Sequence, residues 1–382
     1  MIKPYPRYYE LLQYRGTRGT RAEIENAATR FSTQDFLDLQ VFFNLSWFGF
    51  TARESDPEIR RLIRKGRLFS IEERDMVLDR QMQIIAGLIP AYRRAWEGNS
   101  VDITASAFYH PILPLICDTS IAREGMPGCL LPQGRFRRPE DAAAQTRMSM
   151  EYFQKRFGRK PEGMWPSEGS VSPEALEIIR DAGFRWVATD EEILARSHRN
   201  FNRSRDMYYP WEAHGLSVFF RDRHLSDQIG FVYSRNPAAV AVDDFIGKLR
   251  QIAAGGSHRP KCVSVILDGE NAWECYPNSG KPFLETLYSR ILAEKNVQPI
   301  TFREYLEKHP PEHHIKSIFP GSWINGNFDT WIGDKEEADA WDALKNARDA
   351  LASGEKNLST EAAAEAWREM YKAEGSDWFW WF

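Results

Sequence analysis

The sequence predicts an α/β fold in which βα units form a parallel sheet between two helical regions. Helical patterning without a strand signal covers residues 20–98, and short β-rich runs alternate with helical stretches from about residue 101. Residues 335–373 return to helical patterning that is rich in Glu, Lys and Ala. The predicted organisation is a helical region over 1–100, βα units over 101–310 and a C-terminal helical region over 311–382.

Helix-start signals support the N-terminal helical region. Ser32-Thr-Gln-Asp opens one helix with an acidic residue at its third position, and Ser70-Ile-Glu-Glu is a full capping box. The stretch from Ile71 to Trp96 then carries apolar residues at helical spacing. A long helix is therefore expected over that stretch.

The central region alternates six predicted strands with four predicted helices. Cys262–Leu267 is an uninterrupted apolar run, which is typical of a parallel strand buried on both faces. The predicted strands are Val101–Phe108, Glu162–Pro166, Phe184–Thr189, Leu216–Arg221, Cys262–Leu267 and Gln298–Thr301. The predicted helices are Pro139–Phe157, Pro173 to just before Gly183, Asn236–Ala254 and Pro282–Ala293.

Composition limits the partner classes. The formal net charge of -4 and a pI near 6.1 give no basic surplus for nucleic acid or an anionic membrane. A mean hydropathy of -0.52, with no run of ~18 apolar residues, argues against a membrane span. No apolar signal segment follows Met1. The four cysteines show no zinc spacing, so we expect a reduced cytoplasmic protein; they are Cys117, Cys129, Cys262 and Cys275.

The sequence is rich in aromatic residues, which make up 13% of the chain and include 13 Trp. They could form a large aromatic core or stack on sugar rings, and composition alone favours the core. The chain finishes Asp377-Trp-Phe-Trp-Trp-Phe382. Because five consecutive aromatics would expose a large apolar patch, we expect a fragment cut at both ends; the alternative is a terminus that docks back onto the domain.

Polar side chains follow each of five predicted strands. In a parallel βα sheet or barrel, catalytic groups gather beyond the carboxyl ends of the strands, so these residues are expected to share one edge. Carboxylates and aromatics dominate the set, and two carboxyl groups are what glycoside cleavage requires. His110 follows the first predicted strand, Glu168 the second and Asp190 the third. The residues at the end of the fourth are Arg221, Asp222 and His224, and those after the fifth are Asp268, Glu270 and Trp273.

Each residue also has a structural alternative. Glu168 could be a helix N-terminal charge ahead of Pro173, and Asp268 could cap a strand end. Asp190 and Asp222 could hold a loop or an arginine, and His110 could be an ordinary loop histidine. Asp222 and His224 could share a metal, but no HxH or HExxH spacing exists, so neither a metal nor a cofactor is expected.

Four segments resemble glycoside hydrolase family 57, whose members include α-amylases and 4-α-glucanotransferases. Gly163-Met-Trp-Pro-Ser-Glu-Gly-Ser-Val-Ser172 is similar to the family's nucleophile motif, and Val265-Ile-Leu-Asp-Gly-Glu-Asn-Ala-Trp-Glu274 is similar to its acid/base motif. Tyr109-His-Pro-Ile-Leu-Pro114 and Ser322-Trp-Ile-Asn-Gly-Asn-Phe-Asp-Thr-Trp331 resemble segments that line the sugar site.

The resemblance implies a (β/α)7-type barrel with an inserted helical region and a C-terminal helical bundle. It also implies a retaining mechanism on α-glucans or malto-oligosaccharides, with Glu168 as nucleophile and Asp268 as acid/base about 5–5.5 Å apart. The implied substrate-binding residues are His110, Trp165, Asp190, Arg221, Asp222, His224, Glu270, Trp273, Trp323, Asp329 and Trp331.

One departure from the family pattern leaves three alternatives open. The family's initial His-Gln-Pro-type motif has no counterpart here, so about two barrel strands are expected to be missing and the barrel incomplete. The alternatives are a metal-dependent glycosidase or deacetylase, a non-catalytic α-glucan-binding protein, and a structural or interaction protein with an exposed sheet edge.

Overall fold

The computed structural model describes residues 5–16, 19–269 and 272–381. The chain divides between Ala95 and Trp96 into two compact units. Glu270 lies outside the described residues, so its predicted role in substrate binding has no structural counterpart to compare.

The first unit is helical, as predicted. The capping box at Ser70 forms, because the backbone amide of Glu73 donates to its hydroxyl and the Glu73 carboxylate accepts from its amide. Phe42, Leu45 and Leu62 are fully buried in the core of this unit. Its helices are α1 (Pro6–Arg15), α2 (Arg21–Ala28), α3 (Thr33–Leu45), α4 (Phe50–Ser55), α5 (Pro57–Lys65) and α6 (Ile71–Glu97), the last of which runs past the division into the second unit.

A five-stranded mixed sheet forms the centre of the second unit, in the order β1-β2-β4-β3-β5. β1, β2 and β4 are mutually parallel, whereas β3 is antiparallel to β4 and parallel to β5. The strands are β1 (Gly163–Met164), β2 (Trp186–Asp190), β3 (Trp211–Ala213), β4 (Leu216–Arg221) and β5 (His313–His314).

Two isolated parallel bridges extend the parallel part of the sheet. Ala105 pairs with Met164 of β1, and Ser264 pairs with Arg221 of β4. Five neighbouring segments of the sheet therefore run in the same direction, and their carboxyl ends lie at one edge. The expectation that the polar strand-end residues share an edge follows from this topology.

Three predicted strands are too long, and one of them, Glu162–Pro166, is shortened to the two residues of β1. Val101–Phe108 and Cys262–Leu267 are reduced to the bridges at Ala105 and Ser264. Burial on both faces is also wrong for the second run, because Val263 and residues 265–267 are only half-buried. Side chains replace ladder bonds there: Ile266 donates to the Ser226 hydroxyl and accepts from the Arg221 guanidinium.

The predictions missed β3 and β5, and Gln298–Thr301 forms no strand. β3 and β4 are joined by His214 and Gly215, both with positive φ, the conformation of a tight hairpin turn. His-Gly is a weaker hairpin signal than Asn-Gly, which explains the omission. Thr301 instead caps a short helix through the amide of Glu304.

The predicted helices of the second unit are confirmed to within two residues at their starts. No helix in the described part of the chain is long and apolar enough to cross a bilayer. The helices are α7 (Leu113–Cys117), α8 (Ala122–Gly125), α9 (Pro139–Phe157), α10 (Pro173–Asp181), α11 (Glu191–Ser197), α12 (Arg203–Asp206), α13 (Arg223–Asp227), α14 (Ala238–Ala254), α15 (Lys281–Ala293), α16 (Phe302–Lys308), α17 (Lys335–Gly354) and α18 (Thr360–Ala373).

The C-terminal aromatic run is partly anchored in the core. Phe379 is 2% exposed and its ring stacks on Trp341 of α17 at 4.8 Å. Trp380 and Trp381 remain exposed. Phe379 is therefore part of an aromatic core, whereas Trp380 and Trp381 form an exposed apolar surface.

Gly163 of β1 lies against the indole of Trp186. A Cβ at this position would be 2.0 Å from Cε2 of that ring, so an alanine cannot fit unless the ring moves. We expect Gly163→Ala to lower the free energy of unfolding by about 1–3 kcal/mol through overpacking. Urea denaturation followed by far-ultraviolet circular dichroism measures this change.

Gly247→Ala is the matched control. Gly247 lies inside α14, and a Cβ there meets nothing within 4 Å beyond the helix's own backbone. The same substitution should leave stability unchanged or raise it by up to ~1 kcal/mol through helix propensity. Equal stability of Gly163→Ala and the unmodified chain would contradict the close packing described for β1.

Candidate active site

Glu168 lies in a tight turn that follows β1. Its φ is +56°, a left-handed conformation that a residue with a Cβ seldom adopts, and Gly169 follows at +59°. The turn is closed by the Gly169 amide, which donates to the Pro166 carbonyl at 2.8 Å. Thr189 of β2 donates its hydroxyl to the Gly169 carbonyl at 2.6 Å. The neighbouring strand therefore fixes an unusual backbone that carries a carboxylate at the sheet edge.

Trp323 holds both the side chain and the backbone of Glu168. The indole Nε1 donates to Oε2 of Glu168 at 2.8 Å, and the Trp323 amide donates to the Glu168 carbonyl at 3.0 Å. An antiparallel bridge between Val171 and Gly321 brings the two segments together. Trp165 packs edge-on against Trp323 at 5.3 Å between ring centroids. Both indoles are only half-buried, so part of each ring remains open.

The electrostatic surroundings of Glu168 connect it to three other residues. Burial raises the pKa of Glu168 above its usual value, and repulsion from Asp268 and Asp377 raises it further. The Trp323 hydrogen bond and the positive charge that His110 can carry act in the opposite direction. Glu168, Asp268 and His110, which were predicted independently from three strand ends, are therefore close enough to interact. Asp268 itself is exposed.

His110 is held by the residues that follow α18. Its Nδ1 is hydrogen-bonded to the Ser376 hydroxyl at 2.8 Å, and its carbonyl accepts from the Ser376 amide at 3.0 Å. Asp377 lies 3.8 Å from the same ring nitrogen, with 92% of its side chain exposed. Gly375 permits the approach, because a Cβ there would be 2.7 Å from the Tyr109 carbonyl oxygen.

Sequence reasoning missed Ser376 and Asp377 as site residues. The signal was present, because the unusual aromatic run begins immediately after them, but nothing in the pattern indicated that the segment returns to His110. That contact joins residues 266 positions apart. Only the packing of the C-terminal helices establishes it.

A network of buried polar side chains supports the contact between His110 and the segment after α18. Gln145 of α9 accepts from the Tyr109 amide at 3.2 Å and donates to Glu374 at 2.7 Å. Burial, followed by repulsion from Asp141, raises the pKa of Glu374 well above its usual value. Arg348 of α17 neutralises Asp141 through two hydrogen bonds, at 2.6 and 3.0 Å. The loop before His110 and the residue before Gly375 are thus held by one network.

The side chains of Asp190 and Asp222 are both essentially fully buried. Asp190 caps α11 through the Glu192 amide and pairs with Arg223 at 2.6 Å. The prediction that Asp190 contacts substrate is therefore corrected to the alternative role, that of holding a loop and arginines.

The same correction applies to Asp222. Its carboxylate caps α13 by accepting from the Leu225 amide at 2.9 Å, and it also accepts from the Tyr208 hydroxyl at 3.1 Å. Arg203 pairs with it at 2.7 Å. These partners leave Asp222 buried and neutralised, so the structure gives it a structural role.

Trp331 is a core residue. Its ring is 1% exposed, and its carbonyl accepts from the Trp341 indole at 2.9 Å, so it offers no face to a sugar. Trp273 packs against Tyr276 and Phe283 at centroid distances of 5.4 and 6.4 Å. The sugar-stacking prediction is therefore corrected for Trp331, while for Trp273 it stays a prediction.

His224 and Asp329 are both exposed. Asp329 accepts from the Asn325 amide group at 3.3 Å. His224 neighbours Asp244, whose pKa is lowered mainly by Lys248 and to a smaller extent by this histidine. Their substrate-binding roles stay predictions. Over residues 5–16, 19–269 and 272–381, no cluster of three or more His, Cys, Asp or Glu side chains could hold a metal ion.

Comparison with known proteins identifies the family. The profile described as Glycosyl hydrolase family 57 matches residues 3–317. The chain belongs to this family. The resemblance carried by the motifs around Glu168 and Asp268 is thereby confirmed at the level of family, and the match ends before Trp323.

Curated relatives share low identity with this glycosyl hydrolase family 57 chain. Alpha-amylase 1 of Dictyoglomus thermophilum is 26% identical over 231 residues, which are 57% of this chain and 28% of that protein. The 4-alpha-glucanotransferase of Thermococcus litoralis is 19% identical over 216 residues, 55% of this chain and 28% of that protein. The chain thus matches less than a third of the length of these relatives.

Solved structures confirm the family fold. The glycoside hydrolase family 57-type branching enzyme of Pyrococcus horikoshii superimposes with a TM-score of 0.65 at 17% identity, over 99% of this chain and 78% of that one. The alpha-amylase AmyC of Thermotoga maritima gives 0.63 at 14% identity, over 94% and 75%. The expected barrel-type α/β fold with helical regions is therefore shown.

Proposed function

We propose that the chain cleaves or transfers α-glucosidic bonds in α-glucans or malto-oligosaccharides with retention of anomeric configuration, using Glu168 as nucleophile and Asp268 as acid/base. The observation that carries the proposal is the placement of Glu168. Its carboxylate is half-buried, held by the Trp323 indole and within electrostatic range of Asp268. Both carboxylates follow parallel segments that end at the same edge.

In the first step, Glu168 attacks the anomeric carbon and forms a covalent glycosyl-enzyme while the glycosidic bond breaks. The Trp323 hydrogen bond occupies Oε2, which fixes the carboxylate and leaves Oε1 as the attacking oxygen. A carboxylate that needs little reorganisation to reach the anomeric carbon lowers the cost of the attack.

Asp268 carries out both proton transfers of the reaction. It donates a proton to the leaving oxygen as the glycosidic bond breaks, and it then removes a proton from water or from an acceptor sugar that attacks the glycosyl-enzyme. Water gives hydrolysis and a sugar hydroxyl gives transfer. The exposure of Asp268 suits a group that must meet both a leaving group and an incoming acceptor.

Around these carboxylates, the chain supplies surfaces suited to a sugar. The open parts of the Trp165 and Trp323 rings can stack on the apolar face of a pyranose. His110 and Asp377 offer hydrogen-bonding groups for sugar hydroxyls beside Glu168. This arrangement supports the predicted substrate-binding roles of His110, Trp165 and Trp323, and adds Asp377.

The direct test is incubation of the chain with maltoheptaose and separation of the products by chain length. Hydrolysis gives only shorter oligosaccharides, whereas transfer also gives longer ones. We expect Glu168→Gln to lower turnover by at least about a thousandfold, because the amide cannot act as the nucleophile. Glu162→Gln is the matched control, since Glu162 precedes β1 and pairs with Arg185.

Three outcomes of this experiment would contradict the proposal. Full turnover by Glu168→Gln would remove Glu168 from the chemistry. Binding of maltoheptaose without turnover would select the non-catalytic glucan-binding alternative. Turnover that disappears with a chelator and returns with Zn²⁺ would select the metal-dependent alternative.

The pH profile should report the ionisation of Glu168. The nucleophile acts only as a carboxylate, so activity falls as pH drops through the pKa of Glu168, which burial raises. The Trp323 hydrogen bond stabilises the carboxylate, and its removal in Trp323→Phe raises that pKa further. The acidic limb of kcat/KM should move to higher pH by about one pH unit.

Trp165→Phe removes a neighbouring indole but leaves the hydrogen bond to Glu168 in place, so its acidic limb should stay where it is. If Glu168 were instead the general acid, activity would be lost as pH rises through its pKa. The basic limb would then be the one that moves in Trp323→Phe, which would reverse the two proposed roles.

A further inference from the structure

We infer that Arg221 is the positioning residue that holds Glu168 and Asp268 in register with each other. The inference rests on the proposed function and extends it by assigning a role to Arg221. The sequence predicted that Arg221 binds substrate. The structure instead gives it contacts with both segments that carry the two carboxylates.

Arg221 lies at the junction of the parallel segments. It is the last residue of β4, its backbone pairs with Asp190 of β2, and it forms the bridge with Ser264. Only 7% of its side chain is exposed, so its guanidinium is committed to the protein interior. A buried guanidinium whose three nitrogens all have protein partners is better suited to holding the protein segments together than to contacting a sugar.

The first tether holds the segment that leads to Asp268. Nε of Arg221 donates to the carbonyl of Ile266 at 2.9 Å, two residues before Asp268. Within residues 262–269, β-bridging is limited to Ser264. The segment therefore lacks a continuous ladder, and the guanidinium, together with the Ser226 hydroxyl that bonds the Ile266 amide, restrains it two residues before the carboxylate.

The second tether holds Glu168 through Trp323. The guanidinium carbon of Arg221 lies 5.2 Å from the centroid of the Trp323 ring, within range for a cation–π contact. The same indole donates to the Glu168 carboxylate at 2.8 Å. A displacement of the guanidinium would therefore shift the indole and, with it, the orientation of Glu168.

Two carboxylates fix the orientation of the guanidinium plane. Nη1 donates to Asp190 at 3.4 Å and Nη2 donates to Asp227 at 2.6 Å. With Nε bonded to Ile266, all three nitrogens have partners, and the guanidinium carbon lies over the Trp323 ring. A lysine keeps the charge but cannot make this set of contacts, because an ammonium has neither the planar fork nor the stacking face.

The test that does not depend on activity is hydrogen–deuterium exchange of Arg221→Lys. We expect exchange to rise on the order of tenfold in the peptides covering residues 262–269 and 319–325, since both lose the same anchor. The control is Arg223→Lys, because Arg223 also pairs with Asp190 but its side chain is one-third exposed. Unchanged exchange in either peptide of Arg221→Lys, or an equal rise in the control, overturns the inference.

The kinetic test uses two aryl α-maltosides, one with a good leaving group and one with a poor leaving group. The poor leaving group needs the proton from Asp268, so misplacement of Asp268 should lower its kcat/KM at least tenfold more than that of the good one. A general loss of folded enzyme would lower both equally. Arg223→Lys should show the same ratio as the unmodified chain, and an unchanged ratio in Arg221→Lys would contradict the inference.

Asp227→Asn provides a milder variant in case Arg221→Lys does not fold. It weakens one contact of the guanidinium at a partly exposed carboxylate and should give smaller changes in the same two peptides. If the unmodified chain shows no turnover at all, the proposed function fails, and the exchange measurement still decides whether Arg221 holds both segments.

Discussion

The site depends on the contact between Trp323 and Glu168. Two hydrogen bonds, one from the indole and one from the backbone, hold a carboxylate that already sits on a left-handed backbone. Trp165 and Arg221 pack on the same indole, so the positions of the other groups follow from where that ring lies. Trp323 comes from the segment before α17, so two distant parts of the chain must meet before the carboxylate has its orientation.

The charged residues at the sheet edge divide into two groups by burial. Asp190 and Asp222 are buried among arginines and cap the helices that follow β2 and β4. This group gives rigidity, because each buried carboxylate has partners that offset its desolvation. Glu168, Asp268 and Asp377 are more exposed, and repulsion from the two aspartates contributes to the raised pKa of Glu168. This second group contains the carboxylates that can meet a substrate.

Local sequence was sufficient to predict the longer helices, β2, β4 and the approach of Glu168, Asp268 and His110, but not the short helices between them. Alternating βα patterning implies that successive strand ends share an edge. It could not distinguish Asp268 from Asp190 or Asp222, since burial depends on arginines far along the chain. It also placed Trp331 on the sugar site, although that ring lies in the core. The contact of Ser376 with His110 was invisible because it depends on how the C-terminal helices pack.

The most direct test of the account is covalent trapping of the glycosyl-enzyme. A fluorinated α-maltosyl donor with an activated leaving group forms a glycosyl-enzyme that breaks down slowly, and mass spectrometry of peptides locates the attached sugar. The account predicts one maltosyl group on the peptide that carries Glu168 and none on that of Glu168→Gln. A sugar attached to Asp268, or turnover that proceeds without any trapped intermediate and inverts the anomeric configuration, would contradict it.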